Sequence, residues 1–120
     1  MVDPSDAARR MRAENAREAE ILKSRRERAR EIGKDLARKL SEGYPEIGRV
    51  WGFGSVFETW RDYRMGSDID LAVESGDVLA LMRVTEDAEF PVDVVDLSDC
   101  EPSFADFIRS QGTILAEAHP

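Results

Sequence analysis

The sequence has almost no cysteine and almost no histidine. Cys100 and His119 are the only examples of each among its 120 residues. A single cysteine excludes an internal disulfide and fits a reducing compartment, so we interpret Cys100 as a bystander. His119 lies one residue from the C-terminus, where we expect a frayed chain end and not a ligand.

Long hydrophobic runs are also missing. The longest uninterrupted apolar run, from Val78 to Met82, is far too short for a membrane span, and the first ten residues, MVDPSDAARR, lack the apolar middle of a signal peptide. We therefore expect a cytoplasmic protein with no membrane association. With 42% hydrophobic and 35% charged residues, the composition predicts a globular domain with one core.

Positive charge is scarce in the second half of the chain. Residues 1–50 carry 13 Lys and Arg against 10 Asp and Glu, whereas residues 51–120 carry 4 against 15. A nucleic-acid surface gains affinity from Lys and Arg placed against phosphates, so we expect no direct nucleic-acid binding. Clustered carboxylates instead attract Mg²⁺ or a similar hard cation, which prefers oxygen ligands.

A long helix is predicted at the start of the chain. Asp3 is a suitable N-cap and Pro4 a suitable first helical residue, and no breaker except Gly33 follows before Leu40. Gly43 is expected to end this helix.

The two parts of this helix differ in composition. Ala29, Ile32, Leu36 and Leu40 form an apolar stripe at helical spacing, which predicts docking on the core. The part before Ala29 is rich in Arg and Glu at i,i+3 spacing, such as Glu27 with Arg30. We therefore divide the chain into a helical extension, residues 1–28, and a domain, residues 29–120. The extension is either a solvated helix or a contact arm for a partner or a second copy, giving a homo- or hetero-oligomer.

The rest of the chain alternates strand and helix patterns. A polar loop follows the first strand, and we expect Trp60 and Tyr63 to pack it down rather than stack on adenine. A loop instead of a helix between the first two strands predicts a small mixed β-sheet packed by helices, an α/β (α+β) fold. The predicted elements are strands at Arg49–Phe53, Ile69–Val73 and Phe90–Leu97, a helix at Val78–Val84, and a last helix with Phe104, Phe107 and Ile108 on its apolar face.

Two aspartates interrupt the apolar pattern of the second strand. Asp68 and Asp70 are two residues apart, so on a strand they point to one face, with Cα atoms roughly 6.6 Å apart, while Ile69 faces the core. Two carboxylates on one surface raise each other's pKa unless a cation lies between them. Asp93 on the third strand is placed to join them, and three carboxylates can hold one or two Mg²⁺ ions. Asp96 would face the other way and is expected to end the strand or cap the next helix.

Gly54 and Ser55 close the first predicted strand. Glycine lets backbone N–H groups approach an anion, and serine adds a hydroxyl donor. Such a pair alone is more often a turn than a ligand site. Together with the aspartates it predicts a phosphate cradle opposite a metal site.

The combination of GS, SDIDL and VDVVDL resembles the DNA polymerase β-like nucleotidyltransferases, and within them the minimal nucleotidyltransferase (MNT) group. The resemblance covers about residues 32–115 and implies the polymerase β-like fold, with ATP as substrate. It also implies that the third aspartate helps to activate the incoming hydroxyl. The residues so assigned are Gly54 and Ser55 for the triphosphate, and Asp68, Asp70 and Asp93 for catalysis and for two Mg²⁺ ions.

The loop after the Gly-Ser pair departs from that family. Many members continue GSxARG, whereas this chain reads GSVFETWRDY, with Glu58 where Arg is common and Thr59 where Gly is common. If the family's Arg assists the triphosphate, Arg61 or Arg64 is expected to substitute, unless ATP binds weakly. Ser67 is expected to make a local backbone hydrogen bond and completes the predicted nucleotide-binding set.

The resemblance implies a Mg²⁺-dependent nucleotidyltransferase. The chain is too short for the extra domain with which larger relatives hold their acceptors, so we expect the acceptor on another protein. MNT proteins of this size are commonly paired with HEPN proteins in toxin-antitoxin modules, which implies an antitoxin that transfers AMP from ATP to a tyrosine of a HEPN toxin. Two alternatives stay open: an inactive or weak MNT-fold adaptor that neutralises its partner by binding alone, and a plain structural domain.

Overall fold

The computed structural model describes residues 3–118, so the prediction for His119 lies outside the described residues. The first helix, α1, runs from Pro4 to Gly43 without interruption. Its start is capped by Asp3, whose Oδ1 accepts a hydrogen bond from Ser5 N at 2.9 Å. At its end Tyr44 N donates to Leu40 O. The predicted long helix, its cap and its last residue are confirmed.

A mixed four-stranded sheet follows, with the strand order β3-β2-β1-β4. Strand β1 is antiparallel to both of its neighbours, whereas β2 and β3 are parallel. The mixed sheet and three of the strands are confirmed, but the fourth strand was not predicted because its apolar run, Ile114 to Ala116, is short. The strands are β1 (Arg49–Phe53), β2 (Ile69–Val73), β3 (Val92–Asp96) and β4 (Thr113–Glu117).

Short helices connect these strands. A four-residue helix, α2 (Gly54–Phe57), stands where the sequence predicted only a turn. The other two helices, α3 (Val78–Thr85) and α4 (Pro102–Gln111), lie close to their predicted positions. Two 3₁₀ turns, Pro45–Ile47 and Leu97–Asp99, complete the described elements.

The sheet is covered on both faces because its apolar residues alternate. Ile69, Leu71 and Val73 are fully buried with the apolar stripe of α1, while Ala72 packs on the opposite face in a cluster with Trp51. The second cluster also contains Leu97, Ala105 and Ile108, which α4 and its approach supply.

The predicted stripes of α1 and α4 are confirmed only in part. Ala29, Leu36 and Leu40 of α1 are buried, and Ile32 is half-buried. In α4, Ile108 is fully buried, but Phe104 and Phe107 were wrongly assigned to the buried face because they remain 38% and 37% exposed. The Phe104 ring packs against the Phe53 ring, at the end of β1, in a T-shaped arrangement with a centroid distance of 5.9 Å.

The first five turns of α1 leave the body of the protein. Residues 9–21 are exposed, and the molecule is 69 Å long against 30 Å and 20 Å in the other directions. Leu22 is the first residue of α1 packed against the core cluster beneath the sheet. No helix within residues 3–118 combines the length and apolar character needed to cross a membrane.

Candidate active site

Asp70 and Asp93 are neighbours across the two parallel strands. They are register partners in the β2-β3 ladder, so both side chains point to the same face of the sheet, the face that α4 covers further along. Asp68 lies just before β2 and is half-buried. The structure thus brings the predicted aspartates to one end of the sheet, at the end of β1 and the start of β2 and β3.

The environment of Asp70 disfavours its ionised form. Burial raises its pKa to about 6, and the negative charges of Asp93, Asp68 and Glu58 act in the same direction. Arg61 opposes this shift, but its effect is smaller. A bound cation would offset the repulsion between these carboxylates and favour the ionised form of Asp70.

The carboxylates do not form a complete ligand set by themselves. Within residues 3–118, no group of three His, Cys, Asp or Glu side chains is arranged to hold a metal ion. Their oxygen donors nevertheless fit Mg²⁺, which usually keeps several waters and is bound through one or two carboxylates together with substrate phosphates. Asp70 and Asp93, adjacent in the sheet, are the pair that suits this mode of binding.

The Gly-Ser turn lies directly against Asp70. Gly54 has φ +73°, in the left-handed region, and a Cβ built on it would overlap Asp70 Oδ2. Only glycine therefore lets the chain turn this close to the carboxylate. Ser55 follows as the second residue of α2 and is half-buried.

The position of α2 depends on two further glycines. The Phe57 ring lies over Gly52 of β1, where an added Cβ would be 2.5 Å from Cδ2, and against Gly33 of α1, where it would be 2.7 Å from Cζ. The sequence suggested Gly33 only as a weak point of the helix. It is instead the place where α1 makes room for the Phe57 ring.

Two arginines of α1 hold the other end of α2. Arg30 Nε donates to Val56 O at 2.7 Å, Arg26 Nε donates to the same oxygen at 3.3 Å, and Arg26 Nη2 donates to Glu58 O. Burial and the neighbouring Arg30 lower the pKa of Arg26 from its ordinary value. The predicted pairing of Glu27 with Arg30 is thus replaced by a tertiary contact. No sequence signal indicated it, because these partners are 26 to 32 residues apart.

Glu58 is a site residue that sequence reasoning missed. It is 5% exposed, and its Oε2 contacts Arg61 Nε while having no hydrogen-bond partner within residues 3–118. Arg61 also lies over the Trp60 ring, with its Cζ 4.6 Å from the ring centroid. The only signal was the departure from the family pattern at this position, which was interpreted as a loss and not as a buried acid.

The rest of the loop is local in character. Ser67 Oγ accepts a hydrogen bond from Arg64 N at 3.2 Å, which confirms the local bond predicted for this serine. Tyr63 is 8% exposed and packs in the core, as predicted, but Trp60 is 65% exposed and does not. Arg64 is also exposed, so its side chain lies at the surface of the loop.

Asp96 has no part in this site. It ends β3 and accepts hydrogen bonds from Ser98 N at 2.8 Å, Ser98 Oγ at 2.6 Å and Gly76 N at 3.2 Å. The prediction that it ends the strand and caps the next turn is confirmed. Cys100 Sγ donates a hydrogen bond to the backbone carbonyl oxygen of Asp96 at 3.2 Å.

Comparison with known proteins identifies the family. A comparison with curated protein sequences gives no significant match. The family model described as polymerase beta, nucleotidyltransferase, matches residues 35–120, which include the sheet, the Gly-Ser turn and the three aspartates. This match spans well over half of the chain and agrees with the mixed sheet and its flanking helices. The protein therefore belongs to the polymerase beta nucleotidyltransferase family.

Proposed function

We propose that this nucleotidyltransferase is a Mg²⁺-dependent cytoplasmic antitoxin that transfers AMP from ATP to a tyrosine hydroxyl of a HEPN toxin. The observation that carries the proposal is the register of Asp70 with Asp93 beneath the Gly54 turn. It provides paired oxygen donors for a cation beside a backbone turn suited to phosphate. The acceptor class rests on the resemblance to MNT proteins.

Each predicted residue has a role in this proposal. Asp70 and Asp93 would hold Mg²⁺, and Asp68 would add its negative charge to the site. Mg²⁺ bound there would neutralise charge on the triphosphate and lower the pKa of the acceptor hydroxyl. Gly54 N–H and the Ser55 hydroxyl donate to phosphate oxygens.

The transfer is an in-line displacement. The tyrosine oxygen forms a bond to the α-phosphorus of ATP. The bond between that phosphorus and the oxygen bridging to the β-phosphate breaks, and pyrophosphate leaves. Asp93, on the exposed side of the carboxylate pair, accepts the hydroxyl proton. Arg61 or Arg64, with Ser67 bracing the loop, assists the triphosphate. Positioning and electrostatic stabilisation supply most of the rate.

An assay with ATP labelled at the α-phosphate, Mg²⁺ and the product of the neighbouring gene tests this function. We expect label on a tyrosine of the partner, and loss of at least about 100-fold in rate for Asp93→Asn. Asp35→Asn, an exposed change on α1, is the matched control and should keep the wild-type rate. Unlabelled partner, or an active Asp93→Asn protein, would overturn the proposal.

An adaptor that neutralises its partner by binding alone is the second candidate. The exposed first turns of α1, with Met11 at 65% and Ile21 at 55% exposure, favour it as a contact arm for a partner or a second copy. Neutralisation without ATP that survives Asp93→Asn but fails when residues 3–21 are removed would select the adaptor. Dependence on ATP and Asp93 would select the enzyme.

A further inference from the structure

Glu58 occupies the junction between the Gly54 turn and the loop that carries Arg61. Its backbone is fixed on both sides: its N–H donates to Gly54 O at 2.8 Å, and its carbonyl accepts from Arg26 Nη2 and from Arg61 N, the latter at 3.2 Å. Its side chain is only 4% exposed. Glu58 is therefore the buried member of the pair that it forms with Arg61, and its backbone is hydrogen-bonded on both sides.

Arg61 is the exposed member of the pair. Its side chain is 49% exposed, and it lies between the buried Glu58 carboxylate and the exposed Trp60 ring. The contact with Glu58 uses Nε, which leaves Nη1 and Nη2 for other acceptors. A guanidinium offers these donors in a rigid fork that matches phosphate oxygens.

The pair also lies beside the carboxylate cluster. Glu58 N–H donates to Gly54 O, and Gly54 lies directly against the Asp70 carboxylate, so the contact of Arg61 with Glu58 brings a cation to the turn beside the cluster. A phosphate chain that enters such a cluster needs positive charge as well as metal, because the carboxylates alone repel it. Arg61 is the side chain in place to provide that charge.

We propose that Glu58 is a positioning residue that holds the Arg61 guanidinium at the carboxylate cluster, where Arg61 binds the triphosphate of the nucleotide. This inference rests on the proposed function and selects Arg61 over Arg64 as the triphosphate ligand. The physical reason is entropic: a half-exposed arginine loses rotamer freedom when it binds a phosphate, and an arginine already held by a buried acid loses less.

The opposite role for Glu58 makes the opposite prediction. If the glutamate sequestered Arg61 from the nucleotide, Glu58→Gln would release the guanidinium and strengthen binding. If the glutamate positions Arg61, the same change weakens binding. The sign of the change in affinity therefore decides between the two roles.

The test is a calorimetric titration of the purified protein with Mg²⁺ and a non-hydrolysable ATP analogue. Loss of a charge-assisted contact predicts about tenfold weaker binding for Arg61→Ala and for Glu58→Gln. The double variant should bind no more weakly than Arg61→Ala, because Glu58 acts through Arg61. Arg83→Ala, an exposed change on α3, is the matched control and should keep the wild-type affinity.

Three results would overturn this inference without affecting the proposed function. Glu58→Gln could bind the analogue as tightly as wild type or more tightly, or the losses of binding free energy could add in the double variant. The third is a larger loss of affinity for Arg64→Ala than for Arg61→Ala. A wild-type protein that binds no nucleotide would overturn the proposed function as well. If melting curves show that Glu58→Gln is unfolded, the exposed variants Arg61→Ala and Arg61→Lys decide. Both should weaken binding more than Arg64→Ala does.

Discussion

Asp70 and Asp96 lie on neighbouring strands at opposite ends of the sheet, and their pKa values are shifted in opposite directions. Burial opposes the ionisation of Asp96, but hydrogen bonds from Ser98 and Gly76 outweigh it and lower its pKa. Burial likewise opposes the ionisation of Asp70, but there the neighbouring groups are acids, and the pKa rises to about 6. We interpret a carboxylate that accepts hydrogen bonds from the protein as structural. A carboxylate left among like charges is instead suited to binding a cation.

The largest expected difference between the two is in catalysis. Asp70→Asn should lower the rate of nucleotide transfer by at least about 100-fold, because the site loses a charged metal ligand. Asp96→Asn should keep a near wild-type rate per folded molecule. Initial rates with labelled ATP measure both. Equal losses in the two variants would mean that the two ends of the sheet do not have separate roles.

The second prediction concerns stability at the Asp96 end. Asp96→Ala leaves Ser98 N and Gly76 N without their acceptor, so the free energy of unfolding should fall by about 2–3 kcal/mol. Urea denaturation at neutral pH measures it. Because the folded-state pKa of Asp96 is lowered, its contribution is present above pH 4 and is lost as the pH falls through the folded-state pKa. An unfolding free energy unaffected by the substitution would contradict the structural role.

The site end is also held by partly buried polar contacts, through Arg26. Arg26→Ala removes donors from the carbonyls of Val56 and Glu58 and should cost about 1.5 kcal/mol of stability. Arg28→Ala, on the same helix, removes only an exposed pair with Glu89 and should cost less than about 0.5 kcal/mol. Thermal melts of the two variants provide the comparison. Equal shifts would show that the contact between α1 and α2 carries little free energy.

The smallest effect has the opposite sign. Without metal, ionisation of Asp70 costs stability as the pH rises from about 4 through about 6, because its folded-state pKa is raised. After a discount for its partial exposure, Asp70→Asn should therefore stabilise the metal-free protein at pH 8 by about 1 kcal/mol. The gain should disappear below pH 4 and shrink when Mg²⁺ stabilises the wild type. A destabilised variant at pH 8 would contradict this account of the site.

Much of the fold could be predicted because it depends on local patterns. Asp3 and Pro4 mark the start of α1, and the alternation from Ile69 to Val73 indicates both the strand and the outward face of Asp70. Strand β4 was missed because its residues are only partly buried and its role is to pair with β1. Pairing of this kind leaves little trace in the pattern of a short strand.

The surroundings of the site could be predicted only in part. The pairing of Asp70 with Asp93 agrees with the expectation that a neighbouring strand brings the third acid to the pair. The departure from the family pattern at Glu58 did not indicate its burial, and the contact of Arg26 with its carbonyl had no sequence signal, since both depend on how a distant part of α1 crosses the turn. The contact of Gly33 with the Phe57 ring could not be predicted either, because the two residues are 24 positions apart in the sequence.

The sequence by itself determined where most of the helices and strands begin and which aspartates face away from the core, because caps, turns and periodicity act within a few residues. Only the tertiary structure decided which carboxylate is left among like charges and which is satisfied by hydrogen bonds. That difference depends on burial and on groups that folding brings together from separate strands, loops and α1. For this reason Asp70 and Asp96, whose different faces the sequence indicated, also differ in the direction of their pKa shifts and in the roles inferred for them.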